Sequence, residues 1–248
     1  MEREKAQARI AAYWEGQSGT YDEAPDHRLR GAADRAAWVA LLKAVLPPPP
    51  AGILDVGTGT GFLAILLGEL GHPVVGVDIA EGMLAVARQK AVGVRVPPVF
   101  LRGDAADLPL ESGESAALVS RHLLWTLPDP LGALRDWYRV LRPGGRLVVI
   151  DGLWALGEEP RAANAPAPPP EPTYAAHYTP EVEAQLPLLG ARTLDQVSAM
   201  IAEAGFVRAQ SVSLAPFALA GWGGGTEDRP HPGRFVVTAE RPAFMAGD

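Results

Sequence analysis

Short apolar runs of strand length recur from residue 51 onward, at 53–56, 73–77, 99–102, 116–120 and 146–150. Apolar residues at helical spacing fill the intervals at 62–70, 82–90 and 131–141. Strands that alternate with helices are typical of a parallel sheet whose crossover connections are right-handed. We therefore expect an α/β fold with a Rossmann-like, doubly wound and mostly parallel sheet.

Patterns at the two ends of the chain complete this fold. A helical pattern at 193–204 precedes two more apolar runs, 207–214 and 234–239, which bring the predicted strands to seven. Residues 1–46 have helical spacing with a turn-rich break at 16–22, and the prolines that follow stop the helix.

Six prolines between Glu159 and Thr173 predict an extended or mobile loop over 155–180. Together these patterns divide the chain into four parts. They are an N-terminal helical cap or lid (1–50), a core (51–154), a proline-rich loop and substrate lid (155–192), and the C-terminal helix and closing strands of the same core (193–248).

Composition narrows the classes of function. The 248 residues carry a net charge of −7 and no dense Lys/Arg cluster, so we expect no nucleic-acid partner. There is no cysteine, and the five histidines lack metal-ligand spacing, so we expect neither disulfides nor a metal site. A charged N-terminus and the lack of an apolar run of about 18 residues predict a cytoplasmic protein without membrane contact. A small molecule is the expected partner, and the oligomeric state stays open.

The most informative motif follows the first predicted strand. Asp55 is followed at alternate positions by Gly57, Gly59 and Gly61. Glycines allow a tight turn with positive φ and leave room for a ligand against the backbone. The dinucleotide fingerprint G-x-G-x-x-G has its third glycine one residue later, where this chain has Phe62. The pattern D-x-G-x-G-x-G after a strand instead resembles the first motif of class I S-adenosylmethionine (SAM)-dependent methyltransferases.

The resemblance extends beyond the glycines and covers 53–151 closely. Asp78 ends the second predicted strand and Asp104 the third, in register with the glycine turn. The run WYRVLRPGGRL at 137–147 is similar to the family's helix, turn and fifth strand, and the Ala-Gly-Phe at 204–206 extends the match more loosely to 240. Relatives often carry Phe-Asp before the fourth strand, where this chain has Ser-Ala at 115–116, a packing position.

The resemblance implies a SAM site beyond the carboxyl ends of the strands, where open α/β sheets bind ligands. The glycine turn would wrap the methionine part, and Asp78 would accept both ribose hydroxyls. Met83 would contact the adenine face, while Asp104 and the Ala105 N–H would bind its amino group. Residues expected to bind SAM, or its product S-adenosylhomocysteine (SAH), are Tyr21, Asp55, Gly57, Thr58, Gly59, Gly61, Asp78, Ile79, Met83, Asp104, Ala105, Ser120 and Arg121. Asp55 is expected to brace the glycine turn as well.

Methyl transfer from a sulfonium requires close positioning and exclusion of water, and a general base assists when the acceptor is a hydroxyl or a protonated amine. His122 follows the fourth strand, beside the expected methyl group, and is the candidate base. His27 is a second candidate from the N-terminal segment, where Tyr21 would close the cofactor pocket. A bond to backbone or cofactor is the alternative role of His122 and Arg121. Residues expected to line the substrate pocket are Trp14, Trp125, His177 and Tyr178.

The sequence thus predicts an enzyme that transfers a methyl group from SAM to O or N, with C as a further option, of a small-molecule metabolite. Two alternatives stay open. One is an NAD(P)-dependent oxidoreductase, against which the glycine spacing argues. The other is a non-catalytic SAM-binding protein, which a resemblance in fold does not dismiss.

Overall fold

A seven-stranded sheet forms the centre of the molecule. The computed structural model describes residues 2–24, 27–156, 172–217, 219 and 233–243. Its strands are β1 (Ile53–Val56), β2 (Val74–Asp78), β3 (Val99–Arg102), β4 (Ser115–Arg121), β5 (Leu141–Gly152), β6 (Val207–Ser211) and β7 (Arg234–Glu240). They are ordered β3-β2-β1-β4-β5-β7-β6, and neighbours are parallel except that β7 runs antiparallel to both β5 and β6. The predicted doubly wound α/β fold is confirmed.

The strand order reverses at β1, and this reversal places the site. β2 and β4 flank β1 in register, so that Val56 lies opposite both Val77 and Ser120. The chain leaves β1 toward β2 and returns later on the other side as β4, which opens a crevice at the carboxyl ends of these strands. The residues that follow β1, β2 and β4 therefore meet at one edge of the sheet.

Helices cover both faces of the sheet. They are α1 (Glu2–Gln17), α2 (Ala32–Val45), α3 (Phe62–Leu70), α4 (Glu81–Lys90), α5 (Pro130–Val140), α6 (Pro172–His177), α7 (Pro180–Glu183) and α8 (Leu194–Glu203). On one face α2, α3 and α4 pack through residues such as Leu41, Leu67 and Leu84. On the other face α5 and α8 pack through Trp137 and Ile201. Because both faces are covered, the central strands are buried along their length and read as continuous apolar runs.

The first helix, α1, lies outside these two layers and packs beside the crevice. Its Ala6 and Ile10 are buried in a small cluster with Tyr178, Val182 and Leu186, which come from α7 and the residues around it. The Glu15 carboxylate of α1 also accepts hydrogen bonds of 3.0 and 3.1 Å from the Gly82 N–H at the start of α4. The N-terminal helix thus contacts both the α7 segment and the start of α4, beside the crevice.

The predicted turn at 142–145 lies within β5 as a bulge. Leu141 pairs with Ser115, whereas Arg146 already pairs with Ala117, so that β5 contains three more residues than β4 over this stretch. Gly144 has a φ of +74°, and its N–H donates to the Arg241 carbonyl at 3.0 Å. The glycine lets the chain bulge while a bond to the segment after β7 persists. The sixth strand is also shorter than predicted, ending at Ser211.

The prediction of an extended loop over 155–180 is wrong for the part that the structure describes. Residues 157–171 lie outside the described residues, but α6 and α7 are helical. Pro180 stands in the first turn of α7, and Pro172 is the first described residue of α6. Proline suits the first turn of a helix, because its missing N–H has no helical partner there and its φ is already helical. Of the six prolines that predict a loop, the structure describes only Pro172, and it lies in a helix.

Trp137 connects α5 to the end of β3. Its side chain is fully buried, and its Nε1–H donates to the Ala105 carbonyl at 2.8 Å. In Trp137→Phe this carbonyl loses its donor, and we expect the free energy of unfolding to fall by about 1–3 kcal/mol, with a further loss from the vacated volume. Urea denaturation measures the change. Val92→Ala, at a side chain that is 83% exposed, is the control and should change by less than about 0.5 kcal/mol. Equal stability of Trp137→Phe and wild type would contradict the role given to this bond.

Candidate active site

One cavity opens at the carboxyl ends of β1, β2 and β4, beside α1. Its walls come from the glycine turn, the ends of β2 and β3, the segment after β4 and the N-terminal residues. Of the residues expected to bind SAM, those that line this cavity are Tyr21, Gly57, Gly59, Asp78, Ile79, Met83, Ala105 and Arg121. The structure places the others behind or beside its wall; they are Asp55, Thr58, Gly61, Asp104 and Ser120.

The glycine turn presents bare backbone to the cavity. Gly57 and Gly59 have φ values of +70° and +52°, in the left-handed region that glycine adopts without strain. A Cβ atom on Gly57 would also come within 2.8 Å of the Leu123 side chain. Glycine is therefore required here by backbone conformation and by space, and the N–H groups of Gly57, Gly59 and Gly61 all donate to acceptors within the protein.

Asp55 holds this turn from behind. Its side chain is 2% exposed, and its Oδ2 accepts hydrogen bonds from the Thr58 hydroxyl at 2.7 Å and the Ala64 N–H at 3.1 Å. Burial raises the pKa of Asp55 to about 6, although these bonds and the nearby Arg121 favour the ionised form. The carboxylate borders a narrow cleft behind the turn, which fits the bracing role.

Asp78 lies at the end of β2 and lines the cavity. Its Oδ2 accepts from the Gly59 N–H at 2.8 Å, and its Oδ1 accepts from the Ala80 N–H at 3.0 Å. Burial raises the pKa of this carboxyl. A carboxylate offers about four acceptor positions. One that is fixed by backbone donors in this way can also receive two adjacent hydroxyl groups, such as those of a ribose.

The next wall of the cavity comes from Ile79, Met83 and Ala105, and Met83 is only 2% exposed. These residues provide the apolar surface that a flat adenine ring requires. Asp104 itself faces a neighbouring depression instead. Its carboxylate accepts from the Ala106 N–H at 2.9 Å and lies 3.5 Å from the Gln7 amide nitrogen. The backbone at 105, rather than the Asp104 side chain, therefore reaches the cavity.

Arg121 supplies a buried positive charge at the end of β4. Its guanidinium carbon lies 4.2 Å from the centre of the Phe62 ring and 5.7 Å from that of Trp38, in cation–π geometry. The residue is 7% exposed and borders both the main cavity and the cleft beside Asp55. A buried cation at this position can attract the carboxylate of a bound amino acid group. Ser120 is buried, and its hydroxyl has no hydrogen-bond partner among the described residues.

Tyr21 lies across the glycine turn. Its Cε1 is 3.8 Å from the position that a Cβ on Gly59 would occupy. The His27 ring stacks on it with centroids 3.9 Å apart, and the His27 Nδ1 is 2.8 Å from the Tyr21 carbonyl oxygen. Burial raises the pKa of the Tyr21 phenol, so the hydroxyl stays neutral. His27 is thus held by Tyr21 just outside the residues that line the cavity.

His122 lines the cavity directly after β4. Its φ of +57° is a left-handed conformation that is uncommon outside glycine, and its N–H donates to the Ile150 carbonyl at 2.9 Å. The imidazole Nε2 lies 3.4 Å from the Arg234 guanidinium, and the ring is 5.4 Å from that of Trp154. The sharp turn brings the ring to the cavity wall instead of continuing the strand.

The four residues expected to line a substrate pocket fall at different depths. Trp14 lines the cavity. Tyr178 is buried behind it, with its hydroxyl 2.5 Å from that of Thr126, and the Trp125 ring stacks on Tyr178 at 5.8 Å. His177 lies farther out on α6, where its Nδ1 is 2.9 Å from the Thr173 carbonyl oxygen.

Asp151 is a structural residue of the site that the sequence-based reading missed. It is 2% exposed at the end of β5, and it accepts hydrogen bonds from the Gly152 N–H (2.8 Å), the Leu124 N–H (3.0 Å) and the Trp154 Nε1–H (3.1 Å). Burial raises its pKa to about 6. An apolar strand that ends in an acidic residue was the signal, the same one that identified Asp78.

Comparison with known proteins decides the family. A profile of the methyltransferase domain family matches residues 54–149, which run from β1 to β5. The chain contains a class I SAM-dependent methyltransferase domain. SAM is the cofactor of this family, and most of the residues that line the cavity lie within the matched range. The family match does not support the oxidoreductase alternative.

Individual relatives of this methyltransferase domain agree with the profile. Over 158 residues the chain is 40% identical to a demethylmenaquinone methyltransferase of Thermus thermophilus, a match that covers 63% of each chain. A solved SAM-dependent methyltransferase from Mesorhizobium loti has the same fold (TM-score 0.60, 22% identity), with 86% of this chain and all of the other covered. The [4+2]-cyclase SpnF also shares it (TM-score 0.59, 22% identity, 88% and 86% covered). The match thus spans under two thirds of the Thermus relative's length. No helix among the described residues is long and apolar enough to cross a membrane.

The raised pKa of Asp55 makes stability depend on pH. Folding raises this pKa from 3.8 to about 6, so the folded protein binds more protons than the unfolded chain between these values. The free energy of unfolding therefore falls as the pH rises from about 4 to 6. Asp55→Asn removes this titration, and we expect a shallower fall. Urea denaturation at about pH 4.5, 5.5 and 6.5 measures the slope. The exposed-site control Asp195→Asn should keep the wild-type slope. An unchanged slope in Asp55→Asn would show that this carboxyl does not titrate in the window.

Proposed function

We propose that this chain is an enzyme that transfers the methyl group of SAM to an oxygen or nitrogen atom, with carbon as a further option, of a small molecule. The observation that carries this proposal is the placement of Asp78. Its carboxylate is fixed against the Gly59 N–H and lines the same cavity as Met83 and His122. A diol acceptor, an apolar ring contact and a candidate base are thus arranged along one cavity.

SAM fits this arrangement from one end to the other. The ribose hydroxyls donate to Asp78, the adenine lies between Ile79 and Met83 on one side and Ala105 on the other, and the methionine part follows the glycine turn. The methionine carboxylate then lies near Arg121, whose charge complements it. Tyr21 covers the turn and excludes water from the sulfonium, which methyl transfer requires.

The remaining part of the cavity is where an acceptor belongs. His122 and Trp14 line it, while Thr126 and Leu127 complete its wall. A small molecule suits it, since the chain is acidic and carries no basic cluster for a phosphate backbone. The name of the Thermus relative, which specifies demethylmenaquinone, also supports a small acceptor.

Loss of the Asp78 carboxylate should weaken cofactor binding. In Asp78→Asn we expect the affinity for SAH to fall by about 1.5–3 kcal/mol, the usual contribution of hydrogen bonds to a charged group, which corresponds to roughly 10- to 150-fold in Kd. Isothermal titration calorimetry with SAH measures it. The exposed Asp195→Asn has the same change in charge and should bind SAH as wild type does. An unchanged Kd in Asp78→Asn would remove the ribose role and with it the main support for the proposed site.

Turnover separates a methyltransferase from a non-catalytic SAM-binding protein. The fold alone does not establish methyl transfer, since the fold neighbour SpnF is named as a cyclase. We expect SAH to accumulate from SAM when small hydroxyl or amine acceptors are supplied. If His122 is the base, His122→Ala should slow this reaction by about 10²- to 10⁴-fold while the Kd for SAH stays within about twofold. A parallel loss of both would make His122 a cofactor contact. SAH binding without any methylated product would favour the non-catalytic alternative.

A further inference from the structure

Eight aromatic side chains form a closed circuit beside the cavity, and three of them line it. In order they are Tyr21, Trp14, Tyr13, Tyr178, Trp125, Trp154, His122 and His27, and the last returns to Tyr21. Centroids of successive rings lie 3.9 Å (Tyr21 to His27) to 6.2 Å (His27 to His122) apart. We call this set the aromatic circuit.

The aromatic circuit is assembled from distant parts of the chain. Four members come from the N-terminal 27 residues, two follow β4, one follows β5, and one follows α6. The chain has six Trp and five Tyr residues, and six of these eleven belong to the circuit. Aromatic side chains that serve only as core would be enclosed on all sides, but here Trp14, Tyr21 and His122 also line the cavity that Asp78 and Gly59 share. These three members of the circuit therefore present ring surface to a ligand, and the other five pack around them.

The charges around the circuit disfavour a cationic acceptor. Arg234 lies beside it, with its guanidinium 3.4 Å from the His122 Nε2 and its Cζ 5.8 Å from the centre of the Trp154 ring. The acidic residue next to it, Asp151, is already engaged by the N–H groups of Leu124, Gly152 and Trp154. An ammonium group would thus meet the positive charge of Arg234, and the three bonds to Asp151 leave that carboxylate about one acceptor position. A phenolic oxygen would instead be stabilised by the guanidinium as its charge develops.

One polar atom in the circuit lacks a partner. The Trp125 Nε1–H is buried and makes no hydrogen bond to any described residue. Buried polar atoms are nearly always paired, so an orphaned donor calls for an explanation. An indole N–H can only donate, which means that its partner has to be an acceptor atom. Trp125 does not itself line the cavity, so a ligand that reaches this donor has to insert between the rings of the circuit, and an oxygen substituent on such a ligand supplies the acceptor.

We propose that the aromatic circuit binds the methyl acceptor as a flat, uncharged aromatic ring that carries a hydroxyl group, and that this oxygen takes the methyl. The proposal rests on the proposed function of the site. The hydroxyl oxygen forms the new C–O bond as the C–S bond of SAM breaks. The electron pair of that bond stays on sulfur to give neutral SAH, and the hydroxyl proton passes to the His122 imidazole and then to solvent.

Binding of matched probes to the SAH-loaded protein tests the acceptor class without turnover. The probes are 2-naphthol, its saturated counterpart decahydro-2-naphthol, and the cationic 2-(aminomethyl)naphthalene. We expect 2-naphthol to bind about tenfold or more tightly than either of the others, since stacking on even one or two rings contributes on this scale. Equal binding of the saturated alcohol would overturn the requirement for a flat ring, and equal binding of the amine would overturn the charge argument.

Variants of the circuit localise the binding. Trp154→Leu removes a ring, and Trp125→Phe keeps a ring but removes the N–H. Each should weaken 2-naphthol binding by about fivefold or more, with the Kd for SAH unchanged. Tyr138→Leu is the matched control, because this aromatic side chain packs on Phe206 away from the circuit, and it should bind both ligands as wild type does.

The outcomes distinguish this inference from the proposed function. If wild type binds SAH but not 2-naphthol, the acceptor class is wrong and the cofactor site stands. If SAH itself fails to bind, the proposed function falls and the inference falls with it. With SAM in place of SAH, mass spectrometry should find 2-methoxynaphthalene as product. A methyl group on a ring carbon would overturn the assignment of oxygen as the acceptor atom.

Discussion

The backbone turn between β1 and α3 is the constraint on which the rest of the site depends. The chain has to leave a buried parallel strand, reverse, and enter a helix within five residues, and it does so through glycines with positive φ. Two carboxylates at the ends of adjacent strands fix that turn. Asp55 holds it from behind through Thr58 and Ala64, and Asp78 holds it from the cavity side through the Gly59 N–H. Because both are attached to rigid strands, the turn is positioned before any ligand arrives.

This arrangement concentrates buried charge at one edge of the sheet. Asp55, Asp78 and Asp151 terminate or nearly terminate three strands, and burial raises the pKa of each. Backbone N–H groups oppose that rise in the pKa of all three carboxyls, and the buried Arg121 opposes it at Asp55. Burial of these carboxylates lowers the stability of the fold. It also favours ligand binding, since preorganised polar groups need not rearrange around a ligand.

Much of this could be read from the sequence, because strands that are buried on both faces are apolar and end at charged or glycine residues. The same rule found Asp55 and Asp78 and, applied to the fifth strand, would have found Asp151. The sequence could not show which residue at the end of a strand faces the cavity. Asp104 and Ala105 are adjacent, yet only the second lines the cavity, because the chain turns between them to pair Asp104 with Asp107.

Contacts between residues that are far apart in the sequence could not be predicted either. Nothing near Tyr178 in the sequence indicates that it contacts Tyr13 and Thr126, since those contacts depend on how α6 and α7 settle on α1. The prolines of that segment predict a loop, although Pro172 lies in a helix and Pro180 begins another. The aromatic circuit is therefore visible only in three dimensions, whereas the cofactor end follows a local motif.

The most direct test of the account is a crystal structure of the protein with SAH. The account predicts both ribose hydroxyls within about 2.6–3.2 Å of the Asp78 carboxylate oxygens, and the sulfur directed toward His122 and the aromatic circuit. A nucleoside bound elsewhere, or one whose ribose does not contact Asp78, would contradict the central claim that these strand ends form a SAM site.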